Sequence, residues 1–415
     1  MRVLIVHNRY LLPGGEDEVF GSERRLLETF GHQVDSYEVS NREILQAGAW
    51  GEVAAGPRAC WSFGSAAAVG EILRRRQPDV MHVHNWFPLI SPAVYREARR
   101  RGVAVVQSLH NPRLVCPGAS LSRRGETCTD CVGRGVAWPA VTRGCYQESR
   151  LRTAAVAFAL AMHRYRGTWR RDVDAFIVFT KFFQHVFTAG GLPEAKIHVK
   201  PHFVEPDPGV RTGPPGDYAL YVGRLSEEKG VRLLLKAWSR LEGIPLVVRG
   251  DGPLKEEVTR FAAGNPKVSV RLVGRLSRTE LSELIKGARF LVWPSLGCYE
   301  TFGLVAIEAF ACGVPVLGSD AGAMAEIVEP GRTGLHFPSG DAEGLAGQVR
   351  SAWMRPVVTE AMGRAAREVF ESRYTARANH GRLMEVYATA RSQIECERAV
   401  HDSRPARPRV VERAH

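Results

Sequence analysis

The 415-residue sequence predicts an α/β protein of two doubly wound domains, each a parallel sheet between helices, facing a central crevice. Three observations predict it. Short β-branched runs alternate with amphipathic stretches along most of the chain, as parallel strands joined by helices do. A segment near the middle, Glu205–Asp217, holds four Pro and three Gly in thirteen residues and reads as a linker. The composition, 45% hydrophobic and 24% charged, excludes a disordered, collagen-like or disulfide-packed chain.

The strands expected in the first half are Val3–Val6, Val80–Val83, Val103–Gln107 and Ala175–Phe179. Those in the second are Tyr218–Val222, Leu246–Arg249, Val268–Leu272, Arg289–Trp293 and Pro315–Leu317. These place an N-terminal domain at residues 1–204, a linker at 205–217 and a C-terminal domain at 218–391, whose last helix packs back on the first domain. Residues 392–415, rich in Arg, Pro and Ala, are expected to form a disordered basic tail. The opening MRVLIVHNRY lacks the charged start, apolar centre and cleavage site of a signal peptide. No window approaches about 18 uninterrupted apolar residues, so the expected location is the cytoplasm. The net charge of +12 is concentrated in residues 1–204, at +9 against +3 for the remainder. Such a balance suits phosphorylated ligands, nucleic acid or anionic lipid.

The segment Pro294–Leu317, PSLGCYETFGLVAIEAFACGVPVL, carries the sharpest signal. A strand leads into a loop, and Gly303 opens a helix whose N-terminus suits a phosphate. Glu300 and Glu308 bracket that cradle, and Glu308 lies in an apolar run where an unpaired carboxylate would be costly. The second motif, YVGRLSEEKG at Tyr221–Gly230, ends a strand at Gly223 and follows it with Arg224 and Lys229, two cations placed to neutralise a diphosphate. Third is VRGDGP at Val248–Pro253, where Asp251 and Gly252 form either a backbone platform for a planar base or a plain turn.

Together these segments resemble the family 4 retaining glycosyltransferases of GT-B architecture, two Rossmann-like domains about a crevice. The residues that carry the resemblance are the E-x7-E pair Glu300 and Glu308, the GRLSEEKG loop, the GDGP turn and AGAMAEIVEPGRTGLHFPSGD at 321–341. The resemblance implies transfer of a sugar from a nucleotide-diphosphate donor to a glycan or polyprenyl-linked acceptor, with no metal required for catalysis. It implies that Arg224 and Lys229 grip the diphosphate, Glu308 the ribose and Glu300 the transferred sugar. Phe302, Gly303 and Leu304 would offer backbone N–H groups. In the first domain, Gly14 and Gly15 permit close backbone approach after the first strand, in a loop with Glu16 that the resemblance turns toward diphosphate and acceptor. It places His110 at the transferred sugar and His84 near the acceptor, a buried structural role being the other reading of His84. His82 and His84 share a strand face, but no third ligand is evident from sequence and a metal there is not expected.

Cys116, Cys128, Cys131 and Cys145 follow a C-x11-C-x2-C-x13-C spacing, which reads as a structural zinc site or as free thiols. A similar cysteine-bearing insertion occurs in a subset of the resembled family. From Arg150 to Arg171 there are six Arg and no acid around LRTAAVAFALAMHRY, which reads as a contact with an anionic membrane surface or as a core helix with basic ends. Asp172-Val173-Asp174 has the form of a metal-binding D-x-D but precedes its strand, so it reads as a strand-entry turn. Two departures from the resembled pattern are Pro201-His202-Phe203 and Ala323-Met324-Ala325. The competing functions are a sugar-nucleotide epimerase or phosphorylase and a non-catalytic sugar-nucleotide sensor. Nucleic acid is not expected, because the basic excess lacks aromatic interleaving or a helix-turn-helix pattern.

Overall fold

A computed structural model describes residues 1–11, 14–123, 126–297 and 300–402. In chain order the strands are β1 (Arg2–Arg9), β2 (Gln33–Ser40), β3 (Val80–Asn85), β4 (Ala104–Ser108), β5 (Ser122–Arg123), β6 (Glu126–Thr127), β7 (Ala175–Val178) and β8 (Ile197–Val199). They continue as β9 (Ala219–Val222), β10 (Leu246–Arg249), β11 (Val270–Val273), β12 (Phe290–Trp293), β13 (Val316–Ser319) and β14 (Gly334–Phe337). Two six-stranded sheets result, ordered β2-β1-β3-β4-β7-β8 and β11-β10-β9-β12-β13-β14. All pairings within them are parallel, while β5 and β6 form a separate antiparallel hairpin.

The inner strands are covered by helices on both faces, so they read as unbroken apolar runs: Val3 to Val6 of β1 and Phe290 to Val292 of β12 are buried throughout. The sequence reading missed β2, β8 and β14. All three lie at sheet edges, where one flank faces solvent and polar residues such as Asp35, Glu38, His198 and His336 interrupt the apolar signal.

The segment between the domains is docked rather than loose. Arg367 grips the Asp207 carboxylate with two bonds of 2.7 Å, and Arg211 donates to the Ala288 and Gly313 carbonyls. Glu326 of the second domain accepts from the Lys181 and Phe182 amides at 2.9 and 3.0 Å, capping the helix Lys181–Ala189 of the first. The last helix, Ala376–Asp402, returns to the first domain's sheet through Asn379 and Tyr387. Its length corrects the expected tail: residues 392–402 are helical, with Ile394 buried one turn beyond Ala390, and 403–415 lie outside the described residues. Asp172-Val173-Asp174 does enter a strand. Asp174 accepts from the Val105 amide and pairs with Arg99 at 2.6 Å.

Beneath the first sheet's carboxyl edge lies a buried ion pair, Lys200 Nζ to Glu23 Oε2 at 2.8 Å, both side chains excluded from solvent. Lys200 also donates to Asn379 of the returning helix at 3.0 Å. Burial pushes the Glu23 carboxyl up, but Lys200, with His82 and His84, outweighs it and holds the group well below the usual carboxylate range. A depressed carboxyl contributes stability that is full above its unfolded pKa and is lost as pH falls through the folded one. Lys200→Met leaves Glu23 buried and uncompensated. It should lower the unfolding free energy by about 3–5 kcal/mol in urea titrations at neutral pH, with a smaller deficit in strong acid where wild-type Glu23 is itself protonated.

Candidate active site

The carboxyl ends of both sheets open onto one cleft of about 720 Å³. Its walls come from both domains, as the topology of paired doubly wound sheets dictates. Of the residues singled out from sequence, Gly14, Gly15, Glu16, His110, Gly223, Arg224, Lys229, Glu300, Phe302, Gly303, Leu304 and Glu308 all line it.

On the second-domain wall, β9 runs out into Gly223 and Arg224, and Lys229 follows in a single 3-10 turn, Glu227–Lys229. The Tyr221 hydroxyl donates to the Arg224 carbonyl at 2.9 Å, fixing that bend. Lys229 Nζ meets Glu300 Oε2 at 2.5 Å, and the Ser295 hydroxyl donates to the same oxygen at 3.1 Å. The cation and the sugar-side carboxylate of the sequence reading are therefore one ion pair here. Gly303 caps the helix Leu304–Ala311 with φ +109°, a conformation L side chains rarely adopt. A Cβ there would lie 2.1 Å from the Trp293 indole. The glycine is thus required by the close approach of Trp293 from β12, rather than solely by a ligand at the backbone. Glu308 sits one turn further along, half-buried. Burial pushes its carboxyl up and Glu18 across the cleft adds to this, while Arg278 and Arg249 oppose it.

On the first-domain wall, Gly14 caps the helix Gly15–Thr29. Asp17 explains the geometry: its carboxylate accepts from the Gly14 amide at 3.0 Å and pairs with His7 Nε2 at 2.9 Å. No protein atom approaches within 4 Å of a Cβ built on Gly14, so this backbone faces open space. Pro13 lies outside the described residues. Burial raises Glu16 to about 8, against the opposing pull of the Tyr10 hydroxyl and Arg113, with Asp17 adding to the rise and Asn111 opposing it. His110 presents its ring to the cleft, and behind it His84 Nδ1 lies 3.1 Å from His110 Nε2. Burial drives both imidazoles well below the usual value, so both are neutral at pH 7. Behind them again stand His82 and Glu23, with His82 Nδ1 3.0 Å from Glu23 Oε1.

Three expectations are corrected. His84 is buried behind His110 and does not line the cleft, so it backs His110 and presents no surface of its own to an acceptor. Asp251 and Gly252 are not among the lining residues: the GDGP turn packs onto the Gly223–Leu225 backbone, where a Cβ on Gly250 would lie 2.0 Å from the Gly223 carbonyl oxygen. Asp251 faces solvent near Lys255, at 3.7 Å. A third ligand does accompany His82 and His84, since the Glu23 carboxylate brings an oxygen within 4.8 Å of their ring nitrogens. Lys200, 2.8 Å from that carboxylate, fills the place of a cation.

The cleft also contains Tyr10, Asn111, Arg113, Arg249 and Arg278, to which the sequence assigned no role, and His202, noted there only as a departure from the resembled pattern. Asn111 and Arg113 share the turn after His110, and the others come from distant parts of the chain that meet only in the fold. Arg249, which ends β10 directly before the GDGP turn, was the one with a local signal. Arg113, Arg224, Lys229, Arg249 and Arg278 face Glu16, Glu18, Glu300 and Glu308. With Glu16 held largely protonated at neutral pH, the balance favours an anion. Gly303→Ala should cost about 2–5 kcal/mol through left-handed strain and the clash with Trp293, read as a lower melting temperature. Gly14→Ala, with open space around it, should melt near wild type.

Comparison with known proteins agrees with this architecture. Residues 23–208 match the family model described as Glycosyltransferase Family 4, and residues 211–369 match Glycosyl transferases group 1. The chain is 37% identical over 186 residues to a glycogen synthase of Mycobacterium tuberculosis, a stretch that is 44% of each chain. It is 30% identical to a phosphatidyl-myo-inositol mannosyltransferase of Mycobacterium leprae, over 42% of this chain and 47% of that one. These matches thus span less than half of the curated relatives' length. Among solved structures, Anabaena HepE in complex with UDP superposes with a TM-score of 0.64 at 18% identity, covering 94% of this chain and 100% of that one. A sucrose-phosphate synthase from Thermosynechococcus elongatus gives 0.64 at 16%, over 97% of this chain and 100% of the other. With both halves matched in order and the GT-B fold shared, the chain belongs to the group 1/family 4 glycosyltransferases.

Proposed function

We propose that the protein is a retaining, metal-independent glycosyltransferase that moves a sugar from a nucleotide-diphosphate donor to a glycan or lipid-linked acceptor of the cell envelope. The observation that carries this reading is the composition of one cleft. Arg224, Lys229 and the Gly303 helix head stand on one wall, Glu308 lies a turn away, and His110 with the Gly14–Gly15 backbone faces them. Several relatives bear names of sugar transfer, and HepE was crystallised with UDP-glucose, which supports a nucleotide-sugar donor.

In this reading the C1–oxygen bond to the diphosphate breaks while an acceptor hydroxyl bonds to C1 from the same face. The acceptor's proton passes to the departing phosphate oxygen. Arg224, Lys229 and the amides at Phe302–Leu304 stabilise the charge that develops on the diphosphate. Neutral His110, held by His84, donates or accepts a hydrogen bond at the sugar without adding charge. The D-x-D carboxylate Asp174 is committed to Arg99 and the Val105 amide, so it is not offered to a metal at the diphosphate.

The acceptor side of the reading rests on the helix Arg150–Tyr165. Leu151, Phe158 and Tyr165 are 82%, 65% and 95% exposed and recur every seven residues, with Ala155 and Met162 on the same stripe. Phe63 and Trp138 are also exposed apolar side chains of this domain, and Arg150, Arg152, Arg166 and Arg170 stand exposed at the two ends of the helix. An apolar stripe edged by arginine suits an anionic bilayer surface. No helix among the described residues is long and apolar enough to cross a membrane.

Nucleotide release should be followed for UDP-, GDP- and ADP-sugars with lipid-linked acceptors in anionic or zwitterionic vesicles. The active donor should give a product that keeps the donor's anomeric configuration, turnover should survive EDTA, and anionic vesicles should raise the rate. Arg224→Ala and Lys229→Ala should each lower kcat about 10²-fold, or about 3 kcal/mol in the barrier. An inverted product, or activity restored only by manganese, would overturn the mechanism. Phe158→Ser with Leu151→Ser should abolish co-sedimentation with anionic vesicles, and unchanged co-sedimentation would remove the membrane surface from the account.

A further inference from the structure

Between β4 and the helix Arg150–Tyr165 the chain makes an excursion, residues 115–149, that has little regular structure to hold it. It contains the two-residue strands β5 and β6 and a six-residue helix, Trp138–Arg143. Four non-glycine residues within it, Ala119, Leu121, Gln147 and Glu148, have positive φ between 47° and 58°. Such backbone persists only where its surroundings over-determine it. Cys116, Cys128, Cys131 and Cys145 come from separate parts of this excursion, and all four line a single cavity of about 330 Å³. None of them is in a disulfide.

The wall of that cavity is shared with the active-site cleft. Ser120 lines both, and the neighbouring Gly118 and Ala119 line the cleft. Gly118 rests directly on Cys145, since a Cβ there would lie 3.0 Å from the Cys145 carbonyl oxygen and 3.3 Å from its Cβ. On the other side, the β5–β6 hairpin reaches the second domain. A Cβ on Gly297, at the edge of the loop that carries Glu300, would lie 2.8 Å from Thr127 Oγ1.

We propose that the four cysteines bind one structural zinc ion as a closed thiolate site. This zinc staples the loop Cys116–Leu121 as the floor of the acceptor side of the cleft. Four thiolates leave no open coordination position, so the ion takes no part in the chemistry. Among the described residues only Glu23, His82 and His84 already place three ligand atoms within 4.8 Å of one another. The cysteine sulfurs are therefore drawn inward on binding, and the metal contributes to ordering the excursion. The position of the floor rests on the reading of the cleft given above; the metal site does not.

The test is metal analysis of the full chain purified without a chelating column. About one zinc per chain is expected, released in step with titration of the cysteines by a mercurial reagent. Cobalt substitution should give intense thiolate-to-cobalt absorption. Cys128→Ser with Cys131→Ser should lose the metal and raise the acceptor KM about tenfold or more, while leaving nucleotide binding unchanged. Wild-type protein that holds no stoichiometric zinc, takes up no cobalt with thiolate absorption, and whose thiols react alike with and without added zinc would overturn the site. These readouts on wild type need neither an active donor nor a variant that folds. Zinc binding with an unaltered acceptor KM in the variant would overturn the floor alone.

Discussion

The pairing of Glu23 with Lys200 is the constraint on which the first domain depends. It is a charge pair with almost no access to water, and it holds only because each partner is also engaged elsewhere. Glu23 rises from the helix whose N-terminus carries Gly14, Gly15 and Glu16 to the cleft. Lys200 follows β8 and reaches Asn379 on the helix that returns from the far end of the chain. Through His82 and His84 the same carboxylate backs His110, whose ring forms part of the cleft wall. One buried charge pair thus ties the helix head, His110 and the returning helix into a single unit.

The second domain solves a different problem, that of gathering positive charge on one wall of the cleft. It does so at the carboxyl ends of adjacent strands. β9 delivers Arg224 and Lys229, β10 delivers Arg249, and β12 leads to Glu300 and the Gly303 helix head. Tight backbone contacts keep these loops in register: Gly250 against Gly223, and Gly303 against Trp293. The Lys229–Glu300 pair places a cation and a hydrogen-bond acceptor side by side on the cleft wall.

Much of this was legible in the sequence, and the limits have physical reasons. Inner strands announced themselves because burial on two faces demands unbroken apolar runs. The edge strands β2, β8 and β14 did not, because half of each is wet. Glu308 was recognisable because a carboxylate inside LVAIEAFA has to be accounted for. Asp251 and Gly252 stayed ambiguous because a glycine-rich turn looks the same whether its open backbone meets a ligand or, as here, another loop. Tyr10, Asn111 and Arg113 were not singled out, since only the tertiary fold turns them toward the cleft, and His202 stood out solely as a departure from the resembled pattern. Glu23 beside His82 and His84 was invisible for the same reason.

The central claim is that this cleft holds a nucleotide diphosphate, with Glu308 on the nucleotide side. Thermal unfolding of wild type and Glu308→Ala with UDP, GDP and ADP tests it most directly. A nucleotide at 100 times its dissociation constant adds about 2.7 kcal/mol to stability. The account predicts that one nucleotide raises the wild-type melting temperature and raises that of Glu308→Ala far less. If no nucleotide shifts the wild type, or if the variant shifts equally, the cleft is not the donor site described.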